Sequence, residues 1–196
     1  MVQADQHKRE LILQAALEVF VEKGFRGAST AEISLRAGVA TGSLFYHFSS
    51  KKALYETLYK TVRQQFFDNL FSEVEQTHGF QERLKKLWFA ASRWSIANQS
   101  HYTFLKTFEA IPAFSYSIGP SVEANSELFR QLFHDGVNFQ ISSVQWQLLS
   151  HLVIGMHEGF IRLMLSDVAV QNQEEWWHTS YMMCWQAVRV ALPNAV

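Results

Sequence analysis

Residues 29–48 read STAEISLRAGVATGSLFYHF, and this stretch decides the fold. Ser29 followed by Glu32 is a capping box, in which a hydroxyl and a carboxylate satisfy the first unpaired amides of a helix. Gly38 is predicted to end that helix, because so tight a reversal of the backbone needs a residue without a Cβ. Thr41 is then predicted to cap a second short helix. Two short helices joined by this turn predict a helix-turn-helix.

The side chains of this stretch separate into an inward and an outward set. The predicted inward residues are Ile33, Ala37, Val39, Leu44 and Phe48. The second helix opens with small residues from Thr41 to Ser43, which would allow close approach to base edges and to the DNA backbone. The sequence therefore predicts that this helix enters a DNA groove.

The charge of the chain is unevenly distributed. Residues 1–63 carry nine Lys and Arg against six acids, a net charge of +3, whereas the remainder has a net charge of −4. Lys51 and Lys52 stand in the first turn of the predicted fourth helix, where the helix dipole disfavours cations. That placement is explained by a phosphate bound there, although two solvated lysines are the alternative.

Helical periodicity continues through the rest of the chain, with no strand pattern and no repeat. The first helix is predicted to end near Lys23, and Ser49 or Ser50 is predicted to cap a fourth helix that runs from Lys51 past Phe66. Further helices are predicted near 81–98, 100–110, 121–137, 143–166 and 173–192. The expected fold is all-α with about nine helices. Residues 1–50 are expected to form the helix-turn-helix domain, and residues 51–196 a helical effector-binding and dimerisation domain.

Composition excludes several classes of protein. Hydrophobic residues make up 48% and charged residues 18% of the 196 residues, which is typical of a globular chain. No apolar run is long enough to span a bilayer, and the polar start MVQADQHKRE lacks a signal peptide, so a cytoplasmic protein without membrane contact is expected. The single cysteine, Cys184, excludes an internal disulfide and is expected to be buried.

The order of residues from Gly24-Phe25 through Ser29-Thr30 and Ala37–Phe48 to Lys51 and Leu54 resembles the N-terminal signature of TetR-type repressors. The resemblance covers residues 8 to about 55. It implies a homodimeric, all-helical repressor with an N-terminal three-helix DNA-binding domain and a divergent ligand-binding body. Its partners would be pseudo-palindromic double-stranded operator DNA and a small-molecule effector, with no cofactor.

The same resemblance implies which residues contact DNA. Ser29 and Thr30 would contact phosphate, and Thr41, Gly42 and Ser43 would open the recognition helix. The remaining predicted contacts are Phe45, Tyr46, His47 and Lys51. The position of Phe45 is commonly tyrosine in the family, and phenylalanine offers no hydroxyl to a phosphate. Phe45 is therefore expected either to meet a thymine methyl group or to pack inside the protein.

Aromatic residues recur along the predicted helices of the body and could line an effector site, although aromatic residues at helical spacing also fill protein cores. The candidate pocket residues are Trp88, Ser92, His101, Phe104, Phe108, Phe114, Tyr116, Phe129, Phe133 and His157. They would suit a small apolar or aromatic effector. The last two helices carry more apolar residues than one subunit readily buries, so a homodimer is expected. Its candidate interface residues are Trp146, Val153, Phe160, Trp177, Tyr181 and Trp185.

Two other functions are weighed against the repressor. An enzyme or metal site could use His134, His151 or His157 with Asp135 or Glu158, but no two of these ligands lie four apart on a helix with a third close in sequence. Neither an enzyme nor a metal site is expected. The alternative that remains is a helical binding module of the same fold that acts through a protein partner without operator DNA.

Overall fold

The computed structural model describes residues 2–111, 142–166 and 173–192, and within these ranges every regular element is an α-helix. The helices are α1 (Val2–Gly27), α2 (Thr30–Arg36), α3 (Thr41–His47), α4 (Lys51–Val74), α5 (Phe80–Ala97), α6 (Gln99–Glu109), α7 (Ser143–Met164) and α8 (Gln173–Ala191). The all-α prediction is confirmed. The helix predicted over 121–137 lies outside the described residues.

The turn between α2 and α3 forms as the glycine predicts. Gly38 has φ 65°, in the left-handed region that favours glycine. Its N–H donates to the Leu35 carbonyl at 3.1 Å, and the Val39 N–H donates to the Ser34 carbonyl at 3.0 Å. This pair of hydrogen bonds is a Schellman motif, which satisfies the last carbonyls of α2 while it reverses the chain.

The predicted helix caps are confirmed in part. Ser29 Oγ accepts the Glu32 N–H at 3.1 Å, and Ser50 Oγ accepts the Ala53 N–H at 3.0 Å. The carboxylate half of the capping box is wrong, because the Glu32 carboxylate bonds Lys23 Nζ at 2.6 Å instead. The Thr41 cap is also wrong. Ala40 takes the N-cap position of α3 with extended backbone and no side-chain cap, so Thr41 is the first helical residue.

Residues up to 65 pack with residues 98–111 as one compact unit, called unit 1. An aromatic cluster from α1, α4 and α6 fills its core, and its rings are Phe20, Phe25, Tyr55, Tyr59, Phe104 and Phe108. The Tyr59 and Phe108 rings stack with centroids 3.8 Å apart and planes 10° from parallel. Ring stacking therefore packs α6 against α4. The Phe20 ring meets the Tyr55 ring edge-on with centroids 4.6 Å apart, which packs α1 against α4 as well.

Residues 66–97 pack with residues 142–166 and 173–192 as a second compact unit, called unit 2. In it, α5 contacts both α7 and α8. The Phe89 and Trp177 rings stack 6.0 Å apart between α5 and α8. Cys184 on α8 is fully buried, as predicted, and burial raises the pKa of its thiol to about 12.

The described residues lack a membrane-spanning helix and a cluster of metal ligands. None of the described helices is both long enough and apolar enough to cross a bilayer. Across residues 2–111, 142–166 and 173–192, no three His, Cys, Asp or Glu side chains are grouped so that they could share a metal ion.

Candidate DNA-binding surface

Helix α3 is anchored on one side and open on the other. Leu44 is fully buried and Phe48, just past the helix, is nearly so. Thr41 and Gly42 at the start of the helix are exposed, and Ser43 is half-buried. The side chains of Phe45 and Tyr46 follow, 47% and 77% exposed. The open face therefore presents small residues first and two aromatic rings behind them.

Ser29 and Thr30 lie at the start of α2. The exposed Ser29 uses its oxygen as the helix cap, but a hydroxyl that accepts one hydrogen bond still has its own proton to donate. Thr30 is half-buried, and its carbonyl accepts a hydrogen bond from Ser34 Oγ at 2.8 Å. Both positions are compatible with the predicted phosphate contacts, which stay predictions.

His47 is placed differently from its neighbour Tyr46. Its side chain is only 6% exposed, and Nε2 lies 3.5 Å from Asp5 Oδ1 on α1. The imidazole thus faces α1 and not the surface that carries Tyr46. Direct contact of His47 with DNA stays a prediction that this burial disfavours. Sequence spacing does not reveal the orientation, because the partner lies 42 positions earlier in the chain.

Lys51 lies beside the candidate surface and also forms hydrogen bonds within the protein. Its Nζ donates to the carbonyls of Phe25 at 2.8 Å and Ala28 at 2.9 Å, and it lies 4.7 Å from the centroid of the Phe25 ring. An ammonium group has three donors, so a phosphate can take one of them without displacing a carbonyl. Lys51 therefore ties the start of α4 to the end of α1.

Ion pairs hold α2 against α1. Arg36 donates to both carboxylate oxygens of Glu22, at 2.6 and 2.7 Å, and to Glu32 at 3.1 Å. These hydrogen bonds lower the pKa of Glu22 and raise that of Arg36. Lys23 pairs with Glu32 in the same group. Two of the nine Lys and Arg counted in residues 1–63 thus pair with acids of α1 and α2, whereas the side chain of Lys52 is 60% exposed.

Comparisons with known proteins match this architecture. Residues 12–58 match the family model described as "Bacterial regulatory proteins, tetR family". The crystal structure of a TetR-family transcription regulator from Shewanella sp. PV-4 is similar over 92% of this chain and 97% of that one, with 31% sequence identity and a TM-score of 0.75. This chain belongs to the TetR family.

Two curated TetR-family relatives are similar over parts of their length. The transcriptional activator FasR of Mycolicibacterium smegmatis is 46% identical over 69 residues, which is 35% of this chain and 30% of that protein. The transcriptional repressor KstR2 of Mycobacterium tuberculosis is 26% identical over 138 residues, 67% of this chain and 65% of that protein. The matched region therefore spans less than two thirds of either relative.

Gly42→Ala tests how closely the start of α3 approaches DNA in this TetR-family protein. A Cβ at Gly42 meets no atom within 4 Å, so alanine should stabilise the fold by up to about 0.5–1 kcal/mol. The added methyl should lower DNA affinity about tenfold, by standing between the helix and the base edges. Thermal unfolding and gel shift measure the two effects.

Gly38→Ala is the matched control. Its added Cβ is equally unobstructed, but φ is +65°, so this variant should lose about 1 kcal/mol of stability. Wild-type DNA affinity in Gly42→Ala would show that the start of α3 does not approach the duplex closely.

Lys51→Met and Lys52→Met form a second matched pair. The first should lower the free energy of unfolding by about 1.5–3 kcal/mol, because it removes charge-assisted bonds to two carbonyls. The second should change stability by less than about 0.5 kcal/mol, because the Lys52 side chain is mostly exposed. Urea denaturation measures both. Equal losses would mean that the Lys51 bonds contribute little to stability.

Three of the predicted pocket residues meet in unit 2. Ser92 Oγ donates to the Trp88 carbonyl at 2.7 Å and lies 3.2 Å from His157 Nε2, and the Trp88 ring meets the His157 ring edge-on at 5.4 Å. The structure thus combines an aromatic wall with two polar groups. Sequence reasoning missed Ser180, which accepts the Trp88 indole N–H at 3.1 Å. It also missed Ser95, a fully buried hydroxyl with no hydrogen-bond partner in the described part of the chain.

The other predicted pocket residues lie elsewhere. Phe104 and Phe108 belong to the aromatic cluster of unit 1, where they are buried as packing residues. His101 lies on the same helix, and burial lowers the pKa of its imidazole. The remaining four, Phe114, Tyr116, Phe129 and Phe133, lie outside the described residues.

The predicted dimer residues face the inside of the protomer. Five of the six are buried in a single chain, namely Trp146, Val153, Phe160, Tyr181 and Trp185, and Trp177 is half-buried. Side chains that pack within one protomer have little surface left for a partner, so their burial disfavours this choice, which stays a prediction. The exposed apolar residues of α7 are instead Val144, Leu148, Leu152 and Leu163. With the exposed Gly155 and Gly159 they recur every three or four residues, so they form one stripe along the helix.

Proposed function

We propose that this TetR-family protein is a homodimeric transcriptional repressor that binds pseudo-palindromic operator DNA through α3 and releases it when a small apolar or aromatic effector binds. The observation that carries the proposal is the division of α3 into two faces. Leu44 is fully buried in the protein, whereas Thr41, Gly42, Phe45 and Tyr46 are exposed. Such a helix can enter the major groove while its buried face stays packed against the rest of the protein.

Each exposed residue suits a different part of the duplex. Thr41 and Ser43 carry hydroxyls that can bond base edges, and Gly42 lets the backbone come close. Tyr46 carries a hydroxyl that can reach a phosphate oxygen. Phe45 is nearly half exposed in the protomer, which favours contact with a thymine methyl group over packing inside the protein.

A second copy of the chain is the proposed occupant of the exposed stripe on α7. Four large apolar residues exposed along one helix would be unfavourable in water, and a two-fold axis would bury each of them against its equivalent. Gly155 and Gly159 would allow the two helices close contact, since a Cβ at either position meets no atom within 4 Å. A two-fold dimer places its recognition helices about 34–36 Å apart, one turn of DNA.

The cluster around Ser92 and His157 in unit 2 is the proposed effector site. Apolar walls with a few buried polar groups are typical of small-molecule sites, and the Trp88 and Phe160 rings, stacked on each other with centroids 6.0 Å apart, supply one such wall. An effector that couples to DNA release by about 1–3 kcal/mol weakens operator binding roughly 5- to 150-fold. Repression is favoured over activation because the match to the repressor KstR2 is twice as long as the match to the activator FasR, 138 against 69 residues.

Binding to the DNA that flanks the protein's own gene tests the proposal. Wild-type protein should bind one fragment selectively in a gel shift, with affinity that falls steeply as salt rises. Tyr46→Ala should weaken binding, whereas Phe71→Ala, a change at an exposed position of α4 in unit 2, should not. Absence of any selective fragment, in the flanking DNA or among random genomic fragments, would refute operator binding and leave the alternative of a protein partner.

A further inference from the structure

We propose that Arg9, near the start of α1, binds a phosphate of the DNA backbone beside the end of α3, where the ring of Phe48 holds its guanidinium in place. Arg9 precedes residues 12–58, which match the family model, and it is not among the DNA contacts predicted from the sequence. The inference rests on the proposed function, because it adds a contact to the DNA surface that α3 forms.

One face of α1 meets the end of α3. Asp5, Arg9 and Ile12 are four and three residues apart, so they lie on the same side of the helix. Asp5 Oδ1 lies 3.5 Å from His47 Nε2. Arg9 Cζ lies 5.5 Å from the centroid of the Phe48 ring. Ile12 is fully buried and Arg9 is half-buried, so Arg9 lies where this face passes from the core to the solvent.

The contact with Phe48 leaves the hydrogen-bonding groups of Arg9 available. A guanidinium this close to an aromatic ring is attracted to the face of the ring, which accepts no ordinary hydrogen bond. In the described part of the chain, Arg9 makes no ion pair and no hydrogen bond. Its planar fork of N–H donors matches two oxygens of one phosphate. Phe48 therefore places a guanidinium that is ready to bind a phosphate.

Neighbouring charged groups are engaged elsewhere. Arg36 pairs with acids of α1 and α2, and Lys51 donates to two backbone carbonyls. Asp5 lies one turn before Arg9, but its carboxylate is placed against His47. Among the residues that the structure describes, no carboxylate lies within 4 Å of the Arg9 guanidinium. The positive charge of Arg9 is therefore not neutralised within the protein.

Arg9 lies at the end of α3 from which Tyr46 projects. The Phe48 and His47 rings have centroids 6.3 Å apart, and the His47 and Tyr46 rings 5.2 Å apart. Tyr46 is 77% exposed and is the proposed phosphate contact of α3. A second phosphate contact from α1 would fix how α3 lies in the groove, because phosphate contacts set the orientation of a protein on the duplex.

The salt dependence of operator binding tests the proposal, because it counts phosphate contacts. The logarithm of the association constant falls with the logarithm of the salt concentration, with a slope of about −0.9 for each contact. Fluorescence anisotropy between about 0.1 and about 0.3 M KCl compares wild type, Arg9→Gln, Arg9→Lys and Lys85→Gln. Lys85→Gln is the matched control, since it removes one positive charge at an exposed position of α5 in unit 2.

Arg9→Gln removes two contacts from a dimer. Its slope should therefore be shallower than that of wild type by about 1.8, and its affinity at about 0.1 M salt should be roughly 10- to 60-fold lower. Arg9→Lys should keep nearly the wild-type slope because it keeps the charge, but it should bind more weakly because an ammonium lacks the planar fork. Lys85→Gln should match wild type. The change in slope should also appear on mixed-sequence DNA, since phosphate contacts carry no sequence information.

Several outcomes would overturn the proposal. Weaker binding by Arg9→Gln with an unchanged slope would show that Arg9 supports α3 within the protein and does not contact phosphate. Equal changes of slope in Arg9→Gln and Lys85→Gln would show a general effect of net charge. If wild type selects no operator, the proposed function fails, and mixed-sequence DNA still tests Arg9. A shallower slope of Arg9→Gln on that DNA would support the contact, whereas an unchanged slope or no binding would refute it.

Discussion

Leu148→Arg is expected to convert the protein to a monomer and to lower operator affinity by at least about 100-fold. Leu148 is 67% exposed in the protomer and belongs to the α7 stripe. At a two-fold interface each substitution occurs twice, so two guanidinium groups would be brought together and stripped of water. A monomer then offers one recognition helix to a site built from two half-sites, and the gain from simultaneous binding is lost.

Light scattering coupled to size exclusion measures the oligomeric state of Leu148→Arg, and gel shift measures operator affinity. Gln76→Arg is the control, because it adds the same charge at an exposed position of unit 2 outside α7 and α8. It should remain dimeric and bind DNA as wild type does. A Leu148→Arg protein that stays dimeric would show that the stripe is not the interface, and the proposed dimer would have to be abandoned.

Phe108→Ala is expected to lower stability, whereas Phe45→Ala is expected to lower operator affinity. Phe108 is fully buried and stacks on Tyr59 at 3.8 Å, so its truncation should lower the free energy of unfolding by about 3–5 kcal/mol. Phe45 is 47% exposed, so its truncation should change stability by less than about 1 kcal/mol. Phe45→Ala should instead lower operator affinity about fivefold, by losing apolar contact with DNA.

Urea denaturation and fluorescence anisotropy measure the two properties on the same samples. Phe108→Leu provides a milder variant if the alanine variant fails to fold, and it should lose about 1 kcal/mol. Deoxyuridine in place of thymidine in the operator removes the methyl group, and it should weaken wild type but not Phe45→Ala. Equal weakening of both proteins would exclude a thymine methyl as the partner of Phe45.

Local signals in the sequence predicted the helix-turn-helix because its decisive contacts lie within a few residues. Gly38 ends α2 in the left-handed region, and Ser29 and Ser50 cap the helices that follow them. The Thr41 cap was predicted wrongly because the sequence signal for the start of a helix does not single out one residue. Neighbouring residues can each begin a helix, and only the backbone angles at Ala40 decide between them.

Contacts between residues far apart in sequence were beyond the same reasoning. The orientation of His47 depends on Asp5, and the burial of Phe108 depends on Tyr55 and Tyr59, about 50 positions earlier. Periodicity placed the aromatic residues on helices correctly. It did not distinguish a residue that lines an effector site from one that packs against another helix.

The two faces of α7 illustrate a further limit. Trp146 and Val153 lie on one face and Leu148 and Leu152 on the other, and both faces are apolar. The larger, aromatic side chains predicted for the dimer interface are buried inside the protomer, because such side chains also gain most from burial there. Which face turns inward is set by contact with α5 and α8.

The burial of Cys184 has a practical consequence for spectroscopy. It is the sole cysteine, and a fully covered thiol with a pKa of about 12 has almost no thiolate at neutral pH to attack a maleimide or a methanethiosulfonate. A cysteine engineered at an exposed position would therefore react alone, without removal of the native one. Spin labels attached at such a position on α3 would report the distance between the two copies of that helix directly, with and without a candidate effector.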